Sequence, residues 1–266
     1  MTRISAIAKM LAFAVLASVS MPFVTGSAHV RDTDATRILK QMSDYLASQN
    51  TIAATFDAGI EVVTNQLEKI QFNSSGEFLL VRPDKLRVSR VGGFSNVELM
   101  FDGKTATIFG KNLNTFAQVD MPGSTDELVD RIRNEYGIQQ PGTDLLLSDV
   151  FTQLTKDVVE ARHFGTDIIG GIECEHLAFR NDDTDWQLWI QTGPQPIPRK
   201  FIITSKSTVG APQYTLLIRE WHTDTSVAPD SFGFTPPTGA KKLDFKELAV
   251  FSDIDEVPYG VETGGQ

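Results

Sequence analysis

Between Asp32 and Gln49 the apolar positions fall at Ile38, Leu39, Met42, Tyr45 and Leu46. That spacing gathers them on one side of a helix, with Asp32 or Asp34 placed to cap its start. The period then drops to two. Ile52, Ala54, Phe56, Ala58, Ile60 and Val62 alternate with more polar neighbours, which predicts a long strand with one apolar face. A second strand carries Ile70 and Phe72, then Phe78 and Leu80 beyond Gly76. Pro83-Asp84 breaks the chain before Leu86 and Val88 resume the alternation. Residues 97–101 and 105–109 flank Asp102-Gly103, a hairpin signal, and 115–119 add another strand.

A helical interlude follows. Ser124 and Glu127 have the spacing of a capping box, ahead of Leu128, Val129, Ile132 and Tyr136 on one stripe. Past Pro141-Gly142, Leu146, Val150 and Leu154 recur at fours. Strand patterns return at 158–164, 172–180, 186–191, 200–205 and 214–222, with Asn181 to Thr184 as a turn. Phe232, Phe234, Leu243 and Phe245 form a final apolar tuck. Helices only at the start and middle argue against a parallel α/β sheet. The pattern predicts one α+β domain, over 29–246, with about ten or eleven mostly antiparallel strands.

The ends read differently. Arg3 and Lys9 precede an apolar run from Met10 to Val19, and small residues follow at Gly26 to Ala28. This predicts a secretory signal peptide over 1–28. The run falls short of the about 20 residues that cross a bilayer. No cysteine lies near the cut to take a lipid anchor, so the product is expected to be periplasmic and not membrane-spanning. Residues 247–266 hold five acids and no base, which predicts a solvated, flexible tail.

Composition narrows the function. The net charge is −10 with 34 acids against 24 bases, a field that repels nucleic acid. Cys174 is the single cysteine, so no internal disulfide forms. No nucleophile elbow, phosphate loop, dinucleotide fingerprint or metalloprotease motif occurs. Cys174 and His176 would share one face of a strand, and with His163 or His222 they are the nearest approach to a zinc site or a nucleophile pair. With two ligands close in sequence and no orienting partner identified, a buried thiol beside an ordinary histidine is the favoured reading. Asn181, Asp182, Asp183 and Asp185 lack the spacing of a calcium loop, and a hairpin turn accounts for them. No catalytic residue, metal or cofactor is therefore expected. Arg82, Lys85, Arg87 and Arg90 form a basic run in an acidic chain, read first as a solvated strand face and otherwise as contacts for an anionic headgroup or a partner carboxylate. So wide a sheet with few helices leaves apolar surface for a ligand to cover.

The run from Gly76 through Arg82-Pro83-Asp84-Lys85-Leu86-Arg87, followed by Asp102-Gly103-Lys104, resembles the LolA/LolB-like superfamily of periplasmic lipoprotein carriers and receptors. Gly171 to Arg180, Asp185 to Ile190, Pro196 to Lys200, Pro212 to Tyr214 and Phe232 to Pro237 resemble more narrowly its predicted periplasmic branch, domain of unknown function 2092. The resemblance spans about Thr36 to Phe245. It implies an open, half-closed antiparallel β-barrel with a helical lid over an apolar concave face, and no catalytic residues. On that basis the expected function is a periplasmic binding protein holding an acyl chain, lipid or lipidated ligand. Phe56, Ile60, Phe72, Phe78, Leu80, Val88 and Phe109 are the expected lining. Arg82, Lys85, Arg87 and Arg90 are the candidates for an anionic head. The alternative is a non-enzymatic envelope sensor or scaffold that uses the same fold to hold another envelope protein. An enzyme built on Cys174 and His176 is the third and least supported reading.

Overall fold

The computed structural model describes residues 32–93, 95–138 and 140–247. The leader at 1–28 and, beyond Glu247, the acidic tail lie outside them.

Helix α1 (Thr33–Ser48) forms where the apolar stripe predicts it, and buries Ala35, Ile38, Leu39, Met42 and Leu46. Asp32 caps it by accepting from the Asp34 backbone N–H at 2.9 Å. Then come six strands: β1 (Thr51–Val63), β2 (Lys69–Val81), β3 (Lys85–Gly92), β4 (Asn96–Phe101), β5 (Thr105–Gly110) and β6 (Thr115–Asp120). Helix α2 (Thr125–Asn134), a 3-10 turn (Thr143–Leu146) and helix α3 (Val150–Thr155) make the interlude. The second half holds β7 (Glu160–Ile169), β8 (Ile172–Arg180), β9 (Thr184–Gln191), β10 (Pro198–Ser205), β11 (Gln213–His222) and β12 (Lys241–Leu243).

All twelve strands join one sheet in the order β12-β6-β5-β4-β3-β2-β1-β11-β10-β9-β8-β7. Each pair is antiparallel except β12 beside β6. The two end strands do not meet, so the sheet is an open half-barrel, as expected. The strand beyond the expected eleven is β12, three residues long and too short to show alternation. It closes the β6 edge, which would otherwise present unpaired backbone groups.

The inner face carries the core. Ile52, Leu80, Leu86 and Phe101 are fully buried across β1 to β4, below α1 and the interlude helices. Phe179, Trp186 and Phe201 continue it, with the first two rings stacked at 3.9 Å. Two polar contacts tie α1 to the rest. Asp32 accepts from the His163 backbone N–H at 3.0 Å, which holds its carboxyl below the usual range, and Ser43 Oγ accepts from the Phe151 N–H at 3.0 Å.

The outer face of β4 to β6 is also covered. Met100, Phe109 and Phe116 are buried beneath Phe234, whose ring lies 5.5 Å and 5.1 Å from the two phenylalanines. Beside them Glu98, only 8% exposed, accepts from Arg87 Nε at 2.6 Å and pairs with Lys111 at 3.1 Å. Arg87 also donates to the Ser231 carbonyl at 3.1 Å, tying the covering segment down. Glu98→Ala is expected to cost about 2 kcal/mol in urea unfolding. That is less than the loss of a fully buried pair, because both cations reach solvent.

Candidate ligand cavity

Strand register builds the site. Gly76 on β2 lies between Phe56 on β1 and Arg90 on β3. Phe78 pairs with Val88, Val88 with Leu99, and Leu99 with Ile108. On the other flank Ile218 and Leu216 of β11 pair with Phe56 and Ala58. All of these residues except Gly76 and Ala58 line a cavity of about 230 Å³. Residues Gln140 to Leu146 roof it, and Trp221 and Pro198 stand at its β10–β11 side. Gly142 makes the roof fit. It sits at φ +88°, and a Cβ there would lie 3.2 Å from Leu216 and 3.6 Å from the Tyr214 ring.

The roof is tethered by side chains from three directions. Arg133 pairs with Asp144 at 2.8 Å. Arg82 Nη2 donates to the Leu147 carbonyl at 3.1 Å. Asp126 accepts from the Ser148 backbone N–H at 3.1 Å and from its hydroxyl. Burial pushes the Arg82 guanidinium below its ordinary pKa, partly offset by Asp126. Helix α2 presents Asp126 from a fixed start, since Ser124 and Glu127 form the expected capping box.

The lining is apolar apart from a few groups. Arg90 is its cation, and no aspartate or glutamate is among the lining residues. Tyr214 is half-buried there, and desolvation pushes its hydroxyl up to about 12 against the opposing effect of Arg90, so it stays neutral at physiological pH. Gln140 and Thr143 complete the polar set.

Of the expected lining residues, Phe56, Phe78 and Val88 meet at this cavity. Leu80 shares their face but is fully enclosed in the core. Ile60 and Phe72 pair with each other on the same face, half-buried, nearer the β1–β2 turn. Phe109 points to the opposite face, under Phe234. Of the four cations, Arg90 lines the cavity, Arg82 holds the roof, Arg87 turns outward to Glu98, and Lys85 is exposed at the β2–β3 turn. Leu86, Val97, Leu99 and Ile108 line the site although the sequence did not single them out. Val97 and Leu99 pair with Arg90 and Val88, Ile108 pairs with Leu99 across the Asp102-Gly103 hairpin, and Leu86 precedes Val88 by two residues on the same face.

The other chemical candidates do not converge. Cys174 is buried on the outer face, where burial pushes its thiol up. His176 stacks on Trp189 at 4.3 Å on that face, whereas His163 pairs with Glu175 at 2.6 Å on the other. Asp185 pairs with Arg180 and Lys206. Among the described residues no group of three His, Cys, Asp or Glu side chains is placed to hold a metal ion.

A helix-roofed, open antiparallel half-barrel over an apolar cavity is the class of protein that this fold and site define. The chain belongs to the DUF2092 family of predicted periplasmic proteins, whose model matches residues 35–246. No curated protein sequence matches it. Among solved structures it is similar to an uncharacterized conserved protein from Thermus thermophilus, at 12% identity and TM-score 0.46 over 79% of this chain and 99% of that one. It is also similar to the lipoprotein LppX of Mycobacterium tuberculosis, at 12% identity and TM-score 0.39 over 74% and 100%. A chain of the Pseudomonas aeruginosa MucA/MucB complex shows 13% identity and TM-score 0.42 over 76% of this chain and 61% of that one. None of the described helices is long and apolar enough to cross a membrane.

Proposed function

We propose that this chain is exported by its leader and works in the periplasm as a binding protein or carrier. Its half-barrel takes one apolar chain of an amphiphile, with an anionic head at Arg90. The observation that carries this reading is a roofed cavity lined by aliphatic and aromatic side chains with a cation and no carboxylate in its wall. A dry apolar cavity of about 150 Å³ already holds a benzene-sized guest, and drug-sized ligands fill about 300–1,000 Å³. At about 230 Å³ the site suits a single chain rather than a many-chained lipid. Each methylene withdrawn from water contributes about 0.8 kcal/mol. A lipidated protein fits the same chemistry only through one acyl chain at a time. Carriage by the fold, without chemistry on the cargo, is the reading we favour over an enzyme.

Titration with a medium-chain fatty acid and its matched alcohol tests this. Arg90→Gln is expected to weaken the acid about tenfold and leave the alcohol unchanged, the size of one charge-assisted hydrogen bond. If wild-type protein binds neither, the reading fails. A scaffold role for another envelope protein is the second reading. Strand β7 favours it, because among the described residues it pairs in the sheet with β8 alone, and its other edge meets the start of α1 at Asp32, an arrangement that suits a partner strand.

A further inference from the structure

Seven large apolar side chains are exposed among the described residues, and five of them stand along one rim of the sheet: Leu67, Ile70, Val91, Leu113 and Val209. Antiparallel order brings the β1–β2, β3–β4, β5–β6 and β10–β11 connections to that rim. Leu67 and Val209, 69% and 68% exposed, lead it from two turns that are fixed to each other. Lys69 Nζ donates to Glu61 Oε2 at 3.2 Å and to the Ala211 carbonyl at 3.4 Å. Glu61 accepts from the Gln213 backbone N–H at 2.9 Å, and Gly210 sits against Val63.

Leu67 is held in an unfavourable conformation. Its φ is +65°, a region where asparagine is at home and an aliphatic side chain is not. Thr64 enforces it: its carbonyl accepts from the Leu67 N–H at 2.8 Å, and its hydroxyl accepts from the Gln66 and Glu68 N–H groups at 3.2 Å. The fold thus keeps a strained leucine in water where a polar residue would suit folding better, a pattern associated with functional positions.

The same rim is continuous with the cavity. Along β1 the inner face runs Phe56, Ala58, Ile60, Val62, and Phe72 and Ile70 lie opposite the last two. At about 3.3 Å per residue this track is about 20 Å long. No charged side chain interrupts the inner face of β1 or β2 along it. Near the rim Lys69 pairs with Glu61, Lys111 with Glu98 and Lys206 with Asp185. Glu68, exposed beside Leu67, Asp182 and Asp183, exposed on the β8–β9 turn at the same rim, and the net charge of −10 disfavour an anionic surface.

We propose that this rim, led by Leu67 and Val209, seats on a zwitterionic lipid bilayer, and that the inner face of β1 and β2 is the path between bilayer and cavity. The path rests on the cavity reading above; the bilayer contact does not. The test is sedimentation of protein purified from the periplasm with phosphatidylcholine vesicles, beside fatty-acid binding in solution. Leu67→Asn with Val209→Ser is expected to weaken vesicle binding at least tenfold and leave solution binding unchanged. Leu67→Asn alone is expected to raise the thermal midpoint by about 2 °C while vesicle binding falls, which a purely structural leucine would not do. Wild-type protein that does not sediment, or a double variant that sediments equally, overturns the proposal. Rim-dependent sedimentation without any fatty-acid binding upholds the bilayer contact and overturns the path and the cavity reading.

Discussion

Val88→Trp is expected to abolish ligand binding, by at least a hundredfold in a displacement titration, while the protein stays folded. Val88 lies at the middle of the cavity floor, paired with Phe78 on one side and Leu99 on the other. An indole there enters the cavity of about 230 Å³ rather than a filled core. The strain of overpacking, typically about 1–3 kcal/mol, is therefore at its low end. The ligand's apolar chain, in contrast, loses the volume that shields it from water. Val88→Ala is the matching control: it enlarges the cavity and is expected to keep binding. Equal affinity in wild type and Val88→Trp would place the ligand elsewhere.

The second large effect is expected at Gly76. A Cβ built there would come within 2.3 Å of the Ser89 carbonyl oxygen and 2.5 Å of the Phe56 ring. The first contact is with backbone of the neighbouring strand, so it is not relieved by a rotamer change. Gly76→Ala is expected to cost about 2–3 kcal/mol and to lower the thermal midpoint by about 5–10 °C. It also pushes Phe56 off the cavity wall, so ligand affinity falls with stability. Phe56→Leu in the same background gives the ring's room back and is expected to recover part of the lost stability. A fully stable Gly76→Ala protein would mean that β2 and β3 do not approach as closely as described.

The sequence-to-structure relation differs from strand to strand. The alternation of β1 and β2 was legible because one face is buried and the other is solvated, so Phe56 and Phe78 could be placed from pattern alone. In β4 and β5 nearly every position is buried, because Phe234 and the segment around it cover the outer face. A strand buried on both sides has no polar face to mark its parity, which is why Phe109 reads like a lining residue and is not. The basic run fails for a geometric reason. Arg87 and Arg90 are three residues apart on one strand, so they face opposite sides of the sheet, one toward Glu98 and one toward the cavity. The pairing of β1 with β11 joins distant parts of the chain, and no local pattern specifies it. Hence Tyr214, Leu216 and Ile218 were recognisable as strand residues but not as walls of this site. The roof at Gln140 to Leu146 is likewise set by its tethers, Arg82, Arg133 and Asp126, rather than by its own propensity.

Native mass spectrometry of the protein purified from a periplasm, with organic extraction of whatever travels with it, tests the binding function most directly. A stoichiometric amphiphile bearing one apolar chain and an anionic head, absent from the Val88→Trp protein, is the expected result. An unliganded mass that stays unchanged after incubation with fatty acids and acylated peptides would contradict it, and would leave a half-barrel that serves as a scaffold.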